Sequence, residues 1–238
     1  MADVAVIRTV PLAKDTRNSW TQAGARVIPR KTVEAFMVKA NPEPMADIVL
    51  NLGWRTDIFK KAGRKVFNLP SLVRALSYPG DLRRTLGEFL PPLGEPGKPH
   101  WHKLPGYGGE GKTLCADSTC SLSADSKEDM QSHVEGDEYR INTVGDTIVQ
   151  AHKKIGDPVK GFEFFWVGVQ GISQNGIIPM LKEAIQSLPE SLDWQHSVLG
   201  WDIIVGPNGP VILECNTSAG VNYATALRIV QKAVSLCV

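Results

Sequence analysis

The segment Gly200-Trp-Asp-Ile-Ile-Val-Gly-Pro-Asn-Gly-Pro-Val-Ile-Leu-Glu-Cys-Asn216 decides how the chain folds. Two apolar runs, Trp201 to Val205 and Val211 to Leu213, flank Gly-Pro-Asn-Gly-Pro, the composition of a tight hairpin. Loop length then sets which side chains meet. A two-residue loop at Pro207-Asn208 puts Asp202 opposite Leu213 and buries a carboxylate among apolar neighbours. A three-residue loop, Pro207-Asn208-Gly209, suits a type I turn with Gly209 left-handed, and it puts Asp202 opposite Glu214; this is the register expected. Asp202, Glu214 and Asn216 then line one face, with the opposed acids about 5 Å apart at Cβ. Two carboxylates that close need a proton or a cation between them. Three oxygen-bearing side chains form a donor set suited to Mg²⁺, with substrate phosphates and water completing its shell. The alternative is plain pairing of each acid with a lysine.

Upstream, Glu138 to Ile155 reads as a second hairpin. Its turn, Val144-Gly145-Asp146-Thr147, has glycine at the first central position, as a type II′ turn prefers. With Val144 opposite Thr147 and no irregularity, Glu138 faces Lys153, Arg140 faces Ala151 and Tyr139 faces His152. Glu138, Arg140, Asn142 and Lys153 then share a face too charged for core, either a solvated surface or a wall for phosphate. Phe164, Phe165 and Trp166 read as buried strand rather than a stacking platform, because they are contiguous. Ile177, Leu181, Ala184, Ile185 and Leu188 form one apolar helix face, and a second helix runs from about Tyr223 to the end. His133, His152 and His196 show no metal spacing and read as structural or surface residues.

Further upstream, Gly106-Tyr-Gly-Gly-Glu-Gly-Lys-Thr113 matches the letters of a P-loop. Its flanks do not fit, since a P-loop comes after a buried strand and opens a helix, whereas this stretch comes after Lys98-Pro-His-Trp-His-Lys-Leu-Pro105. A flexible glycine-rich loop with Lys103 and Lys112 at its ends is still suited to covering a polyphosphate. Between Asn68 and Leu90 the apolar pattern is interrupted at Tyr78-Pro79-Gly80, which predicts two short helices. Pro91 to Pro99 marks a hinge. Val4 to Val10, Ala25 to Ile28 and Ile48 to Asn51 read as short strands of a parallel α/β unit.

The whole chain has 238 residues, 42% hydrophobic and 21% charged, with a net charge of +1. That composition suits a folded chain with a sizeable core and argues against bulk-charge binding of nucleic acid or a membrane surface. No apolar stretch approaches the roughly 20 residues of a membrane span, and Met1-Ala-Asp-Val has no leader pattern, so a cytoplasmic protein is expected. Cys115, Cys120, Cys215 and Cys237 form no CxxC pair and are expected reduced; with His100 and His102 the first two match no common zinc spacing.

Gly200 to Val205 followed by Pro210-Val-Ile-Leu-Glu-Cys-Asn-Thr-Ser-Ala-Gly220 resembles the terminal metal motif of ATP-grasp enzymes, and Val134-Glu-Gly-Asp-Glu-Tyr-Arg-Ile141 resembles their central strand. The combination is most similar to the small ATP-grasp proteins of tailed bacteriophages. The resemblance implies an α/β ATP-grasp fold over residues 69–238, with a flap lobe at about 98–136 and a catalytic lobe at about 137–238, preceded by a short α/β unit at 1–68. It implies ATP and Mg²⁺, with Mn²⁺ as a substitute. By position, Lys103 matches the lysine ahead of the flap, Gly106, Gly108, Gly109 and Gly111 the flap, and Gln131 a hinge position where the family often has an acid. Arg140 and Lys153 would contact phosphates and act in catalysis, and Asp202, Glu214 and Asn216 would hold the metal. Gly200-Trp201 stands where amino-acid ligases of this family often carry a basic residue, and Arg74, Arg83 or Arg84 is left to replace their other cleft lysine. The activity implied is a carboxylate–amine ligase acting through an acyl-phosphate, on small-molecule or peptide carboxylates and amines. A P-loop nucleotidase using Gly106 to Thr113 and a non-catalytic ATP-binding protein of the same fold are the alternatives.

Overall fold

The computed structural model describes residues 4–8, 34–37, 48–53, 55, 65–95, 97–103, 112–115, 129–157, 161–218 and 221–237. The first strands are β1 (Val4–Arg8), β2 (Glu34–Met37), β3 (Ile48–Leu52) and β4 (Lys65–Phe67), and they form a parallel sheet of order β2-β1-β3-β4. Parallel strands are covered on both faces, and every residue of the apolar run in β3 is buried. The strand expected at Ala25 to Ile28 lies outside the described residues; β2, with the polar start Glu34, was not legible from the pattern.

Helices α1 (Pro70–Ser77) and α2 (Pro79–Leu86) each begin with proline, whose missing N–H costs nothing in a first turn. Tyr78 between them is extended, as a residue before proline tends to be. Next come β5 (His100–Lys103), β6 (Lys112–Cys115) and β7 (Asp129–Ser132), a small antiparallel sheet of order β6-β5-β7. The remaining strands, β8 (Asp137–Val144), β9 (Thr147–Asp157), β10 (Gly161–Trp166), β11 (Val198–Gly206) and β12 (Gly209–Asn216), build a five-stranded antiparallel sheet of order β10-β9-β8-β11-β12. Helix α3 (Ile177–Gln186) precedes β11, and α4 (Tyr223–Ser235) follows β12.

This sheet separates two environments. Its back face carries Tyr139, Ile141, Ala151, Trp201, Ile203, Ile212 and Cys215, which pack in one core with α1, α2 and α3. At one end of its front face, Val144 and Val198 pack with β3, β4 and α4 in a second core. The rest of the front face is polar. The first sheet is fastened to the large one through Asn68, a fully buried residue at φ 58°. Its amide Nδ2 donates to the Val198 and Thr217 carbonyls at 2.8 and 3.3 Å, and its Oδ1 accepts from the Val198 N–H at 2.7 Å. Its own carbonyl accepts from Asn51 Nδ2 at 2.7 Å.

The two hairpins close near their expected turns and depart from expectation within the strands. Gly145 has φ 57°, and the Val144–Thr147 pairing leaves Gly145-Asp146 as the two-residue turn expected. A bulge at Val149 then shifts the register by one, so Glu138 faces Lys154, Tyr139 faces Lys153, Arg140 faces His152 and Ile141 faces Ala151. In the second hairpin Gly206 pairs with Gly209, so the loop is the two-residue Pro207-Asn208. Asp202 nevertheless faces Glu214, because Leu213 is bulged out between Ile212 and Glu214. The extra residue sits in the strand and not in the turn. Cys115, expected reduced, is disulfide-bonded, while Cys215 and Cys237 are free.

Candidate active site

Side chains on the front face alternate with the core residues of the back face, and the register brings Glu138, Arg140, Lys154, Asp202, Glu214 and Asn216 to one side of the sheet. Asp202 is buried and sits directly opposite Arg140 across the β8–β11 ladder. The guanidinium grips the carboxylate with two parallel bonds, Nε to Oδ1 and Nη2 to Oδ2, the second at 2.7 Å. Lys154, also buried, sends its ammonium to Asp202 Oδ2 at 3.0 Å and to Glu138 Oε1. Both oxygens of Asp202 are therefore engaged by cations. Burial by itself would make the Arg140 guanidinium less basic, but the charge and hydrogen bond of Asp202, with the charges of Glu214 and Glu138, outweigh it and raise its pKa. Glu214 Oε1 accepts from Asn216 Nδ2 at 3.0 Å.

The bulge at Leu213 turns its carbonyl toward the small sheet. Lys103 Nζ donates to it at 2.6 Å, and Gln131 Nε2 reaches it at 3.5 Å. Lys103 and Gln131 are both buried, and Gln131 Oε1 has no hydrogen-bond partner among the described residues. An orphaned buried acceptor costs free energy unless a ligand donates to it. An exocyclic amine of a nucleobase is such a donor.

Of the residues singled out from the sequence, Lys103, Gln131, Arg140, Asp202, Glu214 and Asn216 gather around β12 and its neighbours. Lys153 does not join them, because the Val149 bulge turns it to the other face, where it pairs with Asp137 at 2.8 Å. The hydrogen bond to Asp137 is the leading cause of a raised Lys153 pKa. Lys154 takes the expected place. Gly106, Gly108, Gly109 and Gly111 lie outside the described residues. Arg74, Arg83 and Arg84 are occupied elsewhere: Arg74 donates to the Arg55 carbonyl, Arg83 to the Pro91 carbonyl at 2.9 Å, and Arg84 pairs with Asp81. The P-loop alternative fails just beyond its glycines, since Lys112 and Thr113 open strand β6 and not a helix.

Three features of this face were not read from the sequence. Lys154 differs from Lys153 by one register step, which only the bulge decides. His152 faces Arg140 and shares a contact of 2.9 Å with Gln150; burial first, then the Arg140 charge, lowers its pKa below the ordinary 6.5. Phe164 and Trp166 are exposed, with Phe165 between them, contrary to the buried strand expected.

Among the described residues no group of three or more His, Cys, Asp and Glu side chains is placed to hold a metal ion. Two cations, Arg140 and Lys154, stand among three carboxylates, Glu138, Asp202 and Glu214, so the acids outnumber the bases by one.

The architecture is that of the ATP-grasp ligases: the chain has the ATP-grasp fold. It aligns with D-alanine–D-alanine ligase from Bacillus anthracis in complex with ATP at 10% identity and a TM-score of 0.66, over 100% of this chain and 98% of that one. It aligns with the ATP-grasp ligase PsnB, bound to a phosphomimetic variant of its minimal precursor, Mg and ADP, at 14% identity and a TM-score of 0.63, over 100% and 99%. A RimK domain ATP-grasp protein from Sphaerobacter thermophilus aligns at 16% identity and 0.62, over 96% and 98%. No protein-family model and no curated protein matches the sequence. Among the described residues no helix is long and apolar enough to cross a membrane.

Proposed function

We propose that the protein is an ATP-dependent carboxylate–amine ligase. The observation that carries this reading is the Arg140–Asp202–Lys154 cluster beside Glu214 and Asn216, on a fold shared with ATP-grasp ligases. In this reading residues 1–68 are a preceding unit, and 98–136 cover the catalytic lobe at 137–238. The adenine end of ATP lies by Gln131, whose orphaned Oε1 accepts from the base. In this reading Glu214 and Asn216, with Asp202, would hold Mg²⁺, which would offset charge on the phosphates.

A substrate carboxylate oxygen attacks the γ-phosphorus in line. The bond from that phosphorus to the β–γ bridging oxygen breaks, and ADP leaves. Arg140, whose pKa is raised by Asp202, and Lys154, paired with Glu138 and Asp202, offset charge spreading over the phosphoryl oxygens. The amine nitrogen then attacks the acyl carbon of the acyl-phosphate, phosphate leaves with the bonding pair, and the amine proton passes to solvent or phosphate. No side-chain nucleophile is needed.

The test is ADP formation from ATP with panels of carboxylates and amines. The double variant Glu214→Ala, Asn216→Ala is expected to lose turnover; undiminished turnover in it would defeat the proposal. Tight Mg-ATP binding with no ADP from any panel would point instead to the non-catalytic form.

A further inference from the structure

Edge strand β10 carries Phe164, Phe165 and Trp166 at 52, 47 and 63% exposure, a costly display of apolar surface. Register assigns their sides. Phe164 faces Lys154 and Trp166 faces His152, so both stand on the same front face as Arg140, while Phe165 faces Lys153 on the back. The Arg140 guanidinium lies 6.0 Å from the centre of the Phe164 ring, and the His152 imidazole meets that ring edge-on at 6.2 Å. Trp166 is not loose. Its indole lies over Gly168, where a Cβ would stand 3.2 Å from Cζ2, and the Val167 and Gly168 N–H groups both donate to the Ala151 carbonyl.

The order of groups across the front face is itself informative. It runs from the Leu213 contacts of Lys103 and Gln131, through Glu214 and Asn216 on β12, Asp202 on β11, Arg140 on β8 and Lys154 and His152 on β9, to Phe164 and Trp166 on β10. β12 and β10 are four strand spacings apart, about 19 Å. A nucleotide with its base by Gln131 points its γ-phosphate toward Arg140. In-line transfer requires the attacking oxygen to come from the side opposite the leaving ADP, which is the β9–β10 side.

We infer, resting on the ligase reading, that Phe164 and Trp166 wall the subsite of the carboxylate substrate, and that this substrate carries a flat aromatic group close to its carboxylate. The charge agrees. The polar neighbours of the two rings on the front face are Arg140, Lys154 and His152, while the acid of β10, Glu163, faces Ile155 on the other side. Glu138 is committed to Lys154. An aromatic body is drawn to the rings, and the Arg140 guanidinium 6.0 Å from the Phe164 ring is a donor for the carboxylate it carries.

Matched probes test this. Binding of N-acetylphenylalanine and N-acetylalanine is measured by saturation-transfer NMR with and without Mg²⁺ and a non-hydrolysable ATP analogue, and hydroxamate formation is followed with hydroxylamine as the amine. The aromatic probe is expected to bind about tenfold more tightly. Phe164→Ala and Trp166→Leu should erase that preference while Mg-ATP affinity is unchanged, and Trp166→Phe should restore part of it. Equal affinity for the two probes while Mg-ATP binds overturns the inference. So does sedimentation in which the wild-type protein self-associates and Trp166→Leu abolishes that association while keeping the preference, since the strand would then serve a second copy. Loss of Mg-ATP binding with the aromatic preference intact would instead remove the ligase reading and leave the subsite standing.

Discussion

Lys154 touches two carboxylates from two different strands, and its neighbour Lys153 touches a third on the opposite face. The two lysines therefore serve as internal controls for one another. Lys154→Met removes a buried charge paired with Asp202 and Glu138 and is expected to lower ADP formation about 100-fold, as loss of one transition-state charge partner typically does. Lys153→Met, on a pair partly open to water, should stay within about twofold. Equal losses in coupled-enzyme assays would show that the register is wrong. His152 is the titrating group of this face. Its pKa is lowered by burial and then by Arg140, so the unfolded chain takes up a proton first as pH falls. Its contribution to stability is therefore complete above about 6.5 and declines as pH drops through the lowered value. An imidazole titration by NMR should place His152 below 6.5 and move it upward in Arg140→Met; a midpoint at or above 6.5 in the native protein contradicts the geometry.

At the level of elements, two bulges do what the hairpin turns alone do not. Each frees a strand carbonyl for a basic side chain from outside the sheet: Leu213 accepts from Lys103, and Val149 accepts from Arg228 on α4 at 3.0 Å. The first turn was readable because Gly145 carries the chemistry of its turn type, whereas Pro207-Asn208-Gly209 suggested a three-residue loop where the chain turns on Pro207-Asn208 alone. The bulges were not, because Val149 and Leu213 look like any strand residue, and a one-residue slip exchanges Lys153 for Lys154 without disturbing the pattern. Asp202 opposite Glu214 was foreseen through the wrong device, a longer loop. The aromatic run was misjudged because contiguity suggests burial on both faces, whereas β10 is an edge strand of its sheet. Asn68 is the other element-scale feature. Asn68→Ala strands the Val198 N–H and two carbonyls in a buried junction and is expected to cost about 3 kcal/mol in urea unfolding. Asn68→Gly keeps the φ of 58° accessible but should cost nearly as much, because the bonds and not the turn carry the junction. A loss under about 0.5 kcal/mol would show the junction is held otherwise.

Across the whole molecule, three sheets divide the labour. The parallel sheet and α4 cover one end of the large sheet, helices α1 to α3 cover its back, and the small sheet meets it at β12. A ligand that binds only this folded arrangement stabilises it by mass action, about 2.7 kcal/mol at one hundred times its Kd. Mg-ATP should therefore raise the unfolding temperature, EDTA should remove most of the gain, and Glu214→Ala with Asn216→Ala should abolish the EDTA-sensitive part. The most direct measurement is a crystal structure with a non-hydrolysable ATP analogue and Mg²⁺. It should show the base against Gln131, the metal on Glu214 and Asn216, and the γ-phosphate toward Arg140 and Lys154. A nucleotide seated on residues 106–113 away from β12, or a metal bound beside Thr113, would contradict the ligase reading.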